Sequence, residues 1–261
     1  MFYNFTLIFS GPARVSSLLA HASFLMALLM LPGVAGAREY AHSSEDDVPL
    51  VHGATDLEML VQFSRLAADG KKKVRVRSLG GKESTAIRIA SVIATNAMAL
   101  EVDGYCTSSC AQYLLAASPR VSLQPNSLMS FHMNSFGLIK GGYINSQFPN
   151  FSELSANALA ARHLYLNAGK DPDFMLQATN ASSLVCFLQK DGKPMGAFAL
   201  YQLWVPDRQT LRAAGFKIDG EIPENEEKAR KLVSRYLRAS ASLRFGSFSR
   251  IESNPALSKC D

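Results

Sequence analysis

The sequence lacks the features that mark several classes of protein. It has no long block of basic residues, and its 27 Lys and Arg residues only slightly outnumber its 22 Asp and Glu residues, for a net charge of +5. This mild excess does not indicate nucleic-acid binding. We find no internal repeat of about 20 to 50 residues, so a solenoid or propeller is not expected. With 48% hydrophobic and 19% charged residues, the composition excludes a disordered, collagenous or multi-span membrane chain and is typical of one globular domain.

Charge is nearly absent from the first 37 residues, which contain Arg14 and no acid. An apolar run from Phe24 to Leu31 is followed by Pro32 and by three small residues that end at Ala37. This pattern is typical of a signal peptide, and we expect cleavage after Ala37. Because the apolar run is shorter than the roughly 20 residues of a membrane span, an uncleaved N-terminal anchor is only the alternative. We therefore predict a periplasmic or secreted protein.

Cysteine is scarce, and the chain contains only Cys106, Cys110, Cys186 and Cys260. An even count in an exported chain favours disulfides over free thiols. Cys106 and Cys110 are four positions apart where a strand gives way to a helix, so a local bridge is feasible if the turn brings their Cα atoms within about 7 Å. The remaining bridge would join Cys186 to Cys260. Because no histidine lies near these cysteines at zinc-finger spacing, we predict no metal site.

The chain divides into four predicted regions: a signal peptide (1–37), a polar leader (38–47), a main domain (48–223) and a C-terminal helix with a tail (224–261). From 48 to 131, short apolar strand patterns alternate with amphipathic helix patterns. This alternation predicts an α/β fold whose parallel sheet is joined by right-handed crossover helices.

Less regular patterns follow this core. We expect a loop from Phe136 to Phe148, because Gly, Asn and Ser are frequent there, and then a helix from Glu153 to Leu166. An inserted β-hairpin is predicted between Leu184 and Val205, around the turn at 191–194. A charged helix is predicted from Glu224 to Leu243.

Chemistry-bearing residues follow three of the predicted strands. Gly80 and Gly81 end one strand, Ser108 and Ser109 lie where the next strand gives way to a helix, and His132 ends a third. The carboxyl ends of parallel strands meet at one edge of a sheet, where backbone N–H groups at a helix start lie free. Each residue alone is more often a cap or a turn residue. Together they are the parts of acyl-transfer chemistry.

At these residues the sequence resembles the Clp protease and crotonase superfamily, and especially its exported bacterial Clp-type peptidase-like branch. The resemblance runs from about Val48 to Asp219 and rests on four segments in the family's order. These are a turn like the family's Ser-Pro-Gly-Gly turn, a segment like its nucleophile helix, a Pro-Asn-Ser segment that ends in histidine, and a closing helix and strand, at 77–81, 109–117, 125–132 and 211–219 respectively.

The resemblance implies roles for particular residues. Ser109 would be the nucleophile, with Ser108 as the alternative, and His132 would be the general base. The oxyanion hole would use the backbone N–H groups of Gly80 or Gly81 and of Cys110. No cofactor is implied.

The family's third catalytic residue, an aspartate, has no clear counterpart. An ungapped alignment puts Ala178 at its position, and Asn180 is the nearest residue with an amide that would orient an imidazole. Lys140 is the alternative base of a Ser/Lys pair, although a solvated loop lysine is the simpler interpretation. Asp171 and Asp173 are expected to be acids at a helix start.

We therefore predict an exported serine peptidase-like hydrolase that cleaves peptide bonds through an acyl-enzyme. The alternative is a catalytically inactive scaffold of the same fold that binds peptides or assembles into a homo-oligomer. Acyl-CoA chemistry is disfavoured because an exported protein rarely meets CoA. Basic residues of the C-terminal helix suggest a weak contact with an anionic membrane surface, but a solvated helix is the simpler interpretation. These residues are Lys228, Arg230, Lys231, Arg235 and Arg238.

Overall fold

The structure is a computed structural model that describes residues 48–190, 193–237 and 241–247. The predicted signal peptide and leader, Arg238 and Cys260 lie outside these ranges. Within them, no helix combines the length and hydrophobicity needed to cross a membrane.

The described residues form ten strands and seven α-helices, with one π-helical segment. The elements in chain order are β1 (Leu50–Thr55), α1 (Leu57–Ala68), β2 (Lys73–Gly81), α2 (Glu83–Thr95), β3 (Ala99–Thr107), the π-helical segment (Cys110–Leu115), β4 (Val121–Leu123), β5 (Leu128–Ser130), α3 (Ser135–Lys140), α4 (Phe151–Asn167), α5 (Asp173–Ala181), β6 (Leu184–Lys190), β7 (Lys193–Ala199), β8 (Leu203–Val205), α6 (Arg208–Ala213), β9 (Ile218–Gly220), α7 (Glu226–Tyr236) and β10 (Leu243–Phe245).

A parallel sheet forms the centre of the fold. Its strands lie in the order β1, β2, β3, β4, β9, and β5 pairs with β3 beyond β4. Every one of these pairings is parallel, with β4 along 100–102 and β5 along 105–107 of β3. The predicted α/β fold with a parallel sheet is therefore confirmed, and the carboxyl ends of β2, β3 and β5 meet at one edge.

Local sequence explains why the crossover helices form where they do. The Asp56 side chain accepts a hydrogen bond from the Met59 amide at 3.1 Å, which caps the start of α1. Met59 and Phe63, four positions apart, face the core and are buried. The spacing of these two apolar residues therefore places both on the face of α1 that packs against the sheet.

Four aromatic side chains fill the core behind the sheet edge. Phe174 meets the ring of Phe131 edge-on at a centroid distance of 4.9 Å, and it lies 5.1 Å from the rings of both Trp204 and Phe216. Trp204 and Phe131 also exchange two backbone hydrogen bonds of 2.7 and 2.8 Å. This cluster fixes the backbone immediately before His132.

The predicted loop from Phe136 to Phe148 is wrong at its start, because α3 occupies Ser135–Lys140. The Asn134 side chain caps this helix by accepting from the Gly137 amide at 2.9 Å. A Cβ on Gly137 would lie 2.0 Å from Thr179 Oγ1, so glycine is needed here for close helix packing against α5. Gly137, which favoured a loop in the sequence, instead allows α3 to pack closely against α5.

Two boundaries near the C-terminus also differ from the prediction. The hairpin is formed by β6 and β7 and ends at Ala199, whereas β8 is a separate strand that pairs in parallel with β10. The C-terminal helix ends at Tyr236, and Leu243 begins β10. Apolar residues of this region form a second small core with α7, which explains why Leu243 belongs to a strand.

The basic residues of α7 are paired within the helix. Lys228, Arg230 and Lys231 form ion pairs with the acids four positions earlier, Glu224, Glu226 and Glu227. Such pairs neutralise charge locally and add little stability. The arrangement favours a solvated surface helix, and membrane contact stays a prediction without support.

We predict that Phe174→Ala lowers the free energy of unfolding by about 3 to 5 kcal/mol, because it empties the centre of the aromatic cluster. Denaturant unfolding followed by fluorescence measures this, since Trp204 is the only tryptophan and lies in that cluster. Leu159→Ala, at a side chain that is 57% exposed, is the control and should cost less than about 0.5 kcal/mol. Equal losses in the two variants would contradict this description of the core.

Candidate active site

A sharp turn at Ser108 connects β3 to the helix that follows. Ser108 has a φ of +57°, a left-handed conformation that is uncommon for residues other than glycine and is often found at functional sites. Helical backbone follows directly from 109 to 117, including the π-helical segment, and π-helical turns also occur frequently at functional sites. The Ser108 side chain therefore projects from a strand-to-helix turn, as a nucleophile at such a turn does.

Two constraints hold this turn. The Ser108 amide donates to the Ser130 carbonyl at 3.0 Å, at the end of β5. Cys106 and Cys110 form a disulfide across the turn, with their Cα atoms 5.4 Å apart, and Ser108 lies midway between them. The predicted local bridge is thus present in the structure. The pairing of Cys186 with Cys260 stays a prediction because Cys260 lies outside the described residues.

The register of β3 with β5 brings His132 to Ser108. Thr107 pairs with Ser130, so the residues that follow in the two strands leave the sheet side by side. His132 Nε2 lies 2.5 Å from Ser108 Oγ. The structure thus brings together one of the two serines and the histidine that the sequence indicates.

The hydrogen bonds of His132 define its tautomer. Its Nδ1 lies 2.7 Å from the Met133 carbonyl oxygen, which only accepts hydrogen bonds, so Nδ1 carries the proton. Nε2 is then an acceptor directed at the Ser108 hydroxyl. Burial lowers the pKa of His132, although the Met133 carbonyl acts in the opposite direction. The imidazole is therefore neutral at neutral pH, as a base must be.

The structure corrects the predicted pairing of Ser109 with His132. Ser109 is the first helical residue and is 3% exposed, and its Oγ lies 2.8 Å from Thr55 Oγ1 at the end of β1. The Ser109 hydroxyl also accepts from the Gly81 amide at 2.8 Å. The left-handed turn at Ser108 directs the two neighbouring serines to different surroundings, and Ser109 ties the helix to β1 and β2.

The glycine turn at the end of β2 lies against Ser108. A Cβ on Gly80 would be 2.6 Å from Ser108 Cβ and 2.9 Å from Ser108 Oγ, so only glycine permits this approach. The Gly80 amide donates to Ser78 Oγ at 3.0 Å, and the Gly81 amide donates to Ser109. The two glycine amides that were predicted as oxyanion donors are therefore engaged within the protein.

Asn180 and Lys140 have partners other than Ser108 and His132. The Asn180 side chain accepts from the Tyr143 hydroxyl at 2.8 Å, and the partner of His132 Nδ1 is the Met133 carbonyl rather than Asn180. Lys140 is paired with Asp173 at the start of α5. The Ser/Lys alternative therefore loses its base, and Asp173 is a helix-start acid as expected.

Three residues that the sequence did not single out connect the segments of this site. The Glu83 carboxylate, in the first turn of α2, accepts from the Tyr113 hydroxyl and from the amide and hydroxyl of Ser135. Burial raises the pKa of Glu83, and these hydrogen bonds only partly oppose the rise. Glu83 thereby links the glycine turn, the π-helical segment and the chain after His132. A Glu two residues after Gly81 gave no signal of this role.

The backbone of His132 is held as well. The Gln112 side-chain amide donates to the His132 backbone carbonyl. The backbone carbonyl of Gln112 accepts from the buried Tyr165 hydroxyl at 2.8 Å. The His132 backbone is therefore held by the same helix that follows Ser108.

Among the solved structures that are similar to this chain are two structures of one protease. No protein-family model matches the sequence, and no curated protein matches it either. One similar structure is a serine-to-alanine mutant of 1510-N, a membrane-bound stomatin-specific protease, at 11% identity and a TM-score of 0.42, with 77% of this chain and 97% of that chain covered. The other is a lysine-to-alanine mutant of the same protease in complex with a substrate peptide, at 11% identity and a TM-score of 0.41, with 77% and 91% covered.

We predict that the His132 ring titrates with a midpoint below the ordinary histidine value of about 6.5, because burial disfavours the imidazolium. Histidine ring signals followed by NMR between pH 4 and 8 measure this, with His132→Gln identifying the signal. A midpoint above 7 would contradict the neutral, partly buried imidazole.

Proposed function

We propose that the protein is an exported serine hydrolase that cleaves peptide bonds, with Ser108 as nucleophile and His132 as general base. The observation that carries this proposal is the 2.5 Å approach of His132 Nε2 to Ser108 Oγ, with Nδ1 held by a carbonyl. The peptide bond as substrate follows from the resemblance to Clp-type peptidases. Export is supported by the N-terminal pattern and by the disulfide, since disulfides persist in oxidising compartments.

In the first step His132 Nε2 takes the Ser108 hydroxyl proton as Oγ attacks the scissile carbonyl. The resulting imidazolium then protonates the leaving amine, which leaves an acyl-enzyme on Ser108. Water then attacks the acyl carbonyl as His132 Nε2 takes its proton. The bond between the acyl group and Ser108 Oγ breaks, which releases the carboxylic acid, and the imidazolium returns the proton to Oγ. No cofactor takes part in these steps.

Negative charge develops on the carbonyl oxygen during each attack. The amides of Ser109 and Cys110 open the helix after Ser108, where backbone N–H groups have no intrahelical acceptor. Because they follow the nucleophile directly, these two amides are the donors that we assign to the oxyanion hole. Cys110 was predicted for this role, and Ser109 joins it when the nucleophile is Ser108.

Because a carbonyl rather than a carboxylate faces Nδ1, His132 is a weaker base than the histidine of a full triad. The Met133 oxygen selects the correct tautomer, but it carries no full charge to stabilise the imidazolium. We therefore expect slow hydrolysis. The catalytically inactive scaffold is the second candidate, and the engaged amides of Gly80 and Gly81 favour it. Homo-oligomer formation stays a prediction.

The proposal predicts covalent labelling at Ser108. A fluorescent alkyl fluorophosphonate should label the chain from Arg38 onwards, and Ser108→Ala should abolish the label because the attacking hydroxyl is lost. Ser109→Ala is the matched control and should keep it. A folded wild type that neither reacts with this probe nor cleaves any member of a broad peptide library would favour the scaffold.

A second prediction concerns additivity. Ser108→Ala and His132→Ala should each lower kcat/KM by about a thousandfold or more, and the double variant should be scarcely worse, because the two groups act as one unit. Peptide hydrolysis rates test this, with thermal unfolding of each variant as the check on folding. Losses that multiply in the double variant would show that the two residues act independently.

A further inference from the structure

The two glycine amides nearest to Ser108 are occupied by serine hydroxyls. Gly80 N–H donates to Ser78 Oγ at 3.0 Å, and Gly81 N–H donates to Ser109 Oγ at 2.8 Å. A backbone N–H has one proton to donate, so an amide engaged in this way is not available to a substrate oxygen. In the resting site neither the Gly80 amide nor the Gly81 amide is therefore free to donate to a substrate oxygen.

The glycine turn lies close enough to serve a substrate attached to Ser108. A Cβ on Gly80 would be 2.9 Å from Ser108 Oγ, so the Gly80 backbone borders the position of the reacting carbonyl. Gly80 and Gly81 have φ values of +92° and +157°. A peptide unit between two glycines reorients at low steric cost.

Ser109 keeps other partners if Gly81 turns away. Its Oγ lies 2.8 Å from Thr55 Oγ1 and 3.2 Å from the Gly81 carbonyl oxygen. Thr55 is fully buried, so this hydroxyl pair is shielded from water. Release of the Gly81 amide therefore does not leave the Ser109 hydroxyl without a hydrogen bond.

We propose that Ser109 is a positioning residue that caps the Gly81 amide at rest, and that this amide becomes an additional oxyanion donor when the substrate oxygen replaces the Ser109 hydroxyl. This inference rests on the proposed function of Ser108. The exchange favours the transition state, because a hydrogen bond to an anionic oxygen is stronger than one to a neutral hydroxyl. The Ser109 hydroxyl must leave the Gly81 amide before that amide can donate to the substrate oxygen, so the cap slows attack in the resting enzyme.

The test compares the rate of labelling by an alkyl fluorophosphonate in the wild type and in three variants. Ser109→Ala frees the Gly81 amide before attack, and we expect labelling of Ser108 about threefold to tenfold faster than in the wild type, the equivalent of one neutral hydrogen bond. Ser109→Thr keeps a hydroxyl and should restore the slow rate. Ser64→Ala, which removes an exposed helix serine bonded to a backbone carbonyl, should leave the rate unchanged.

The rate of hydrogen exchange of the Gly81 amide, followed by NMR, measures the hydrogen bond between this amide and Ser109. This measurement does not depend on catalytic activity. The amide should be protected in the wild type and exchange faster in Ser109→Ala, while thermal unfolding shows that both proteins are folded. Equal protection in the two proteins, or slower labelling of Ser109→Ala, would overturn this inference while leaving the role of Ser108 intact. Absence of labelling in all of the proteins would overturn the proposed function and the exchange together.

Discussion

The left-handed turn at Ser108 is the constraint on which the candidate site depends. It ends β3, starts the helix, and directs two consecutive serines to different neighbours, Ser108 to His132 and Ser109 to the ends of β1 and β2. Such a backbone conformation costs of order 1 kcal/mol or more and persists only where its surroundings enforce it. The disulfide between Cys106 and Cys110 and the Ser108 hydrogen bond to β5 supply that enforcement.

His132 is oriented by backbone and packing rather than by a carboxylate. The Met133 carbonyl sets the tautomer of His132, and Gln112 holds the His132 backbone from the helix that begins beside Ser108. Ser108 and His132 are thus positioned by the same helix. The arrangement provides proton transfer and geometry, and it lacks the charge that a carboxylate would add to stabilise an imidazolium.

Alternating strand and helix patterns were sufficient to predict the parallel sheet. Each strand or helix buries one or two of its faces, and this burial appears in the sequence as a regular spacing of apolar residues. His132 was found for the same reason, since it ends a strand. The choice between Ser108 and Ser109 depends on one backbone dihedral angle, and serine gives no local signal of a positive φ in the way that glycine does. The position of Ser108 midway between Cys106 and Cys110 was the available clue. The contacts of Glu83 and the packing of Gly137 against α5 join distant parts of the chain, so no local pattern encodes them.

The most direct test of the central claim is to locate a covalent adduct on the wild-type protein. After reaction with a fluorophosphonate and reduction of the disulfide, trypsin should release a peptide ending at Arg120, and fragmentation between Ser108 and Ser109 separates the two candidates. Our account predicts that the added mass lies on Ser108. An adduct on Ser109 would contradict the pairing of Ser108 with His132 as the reactive unit.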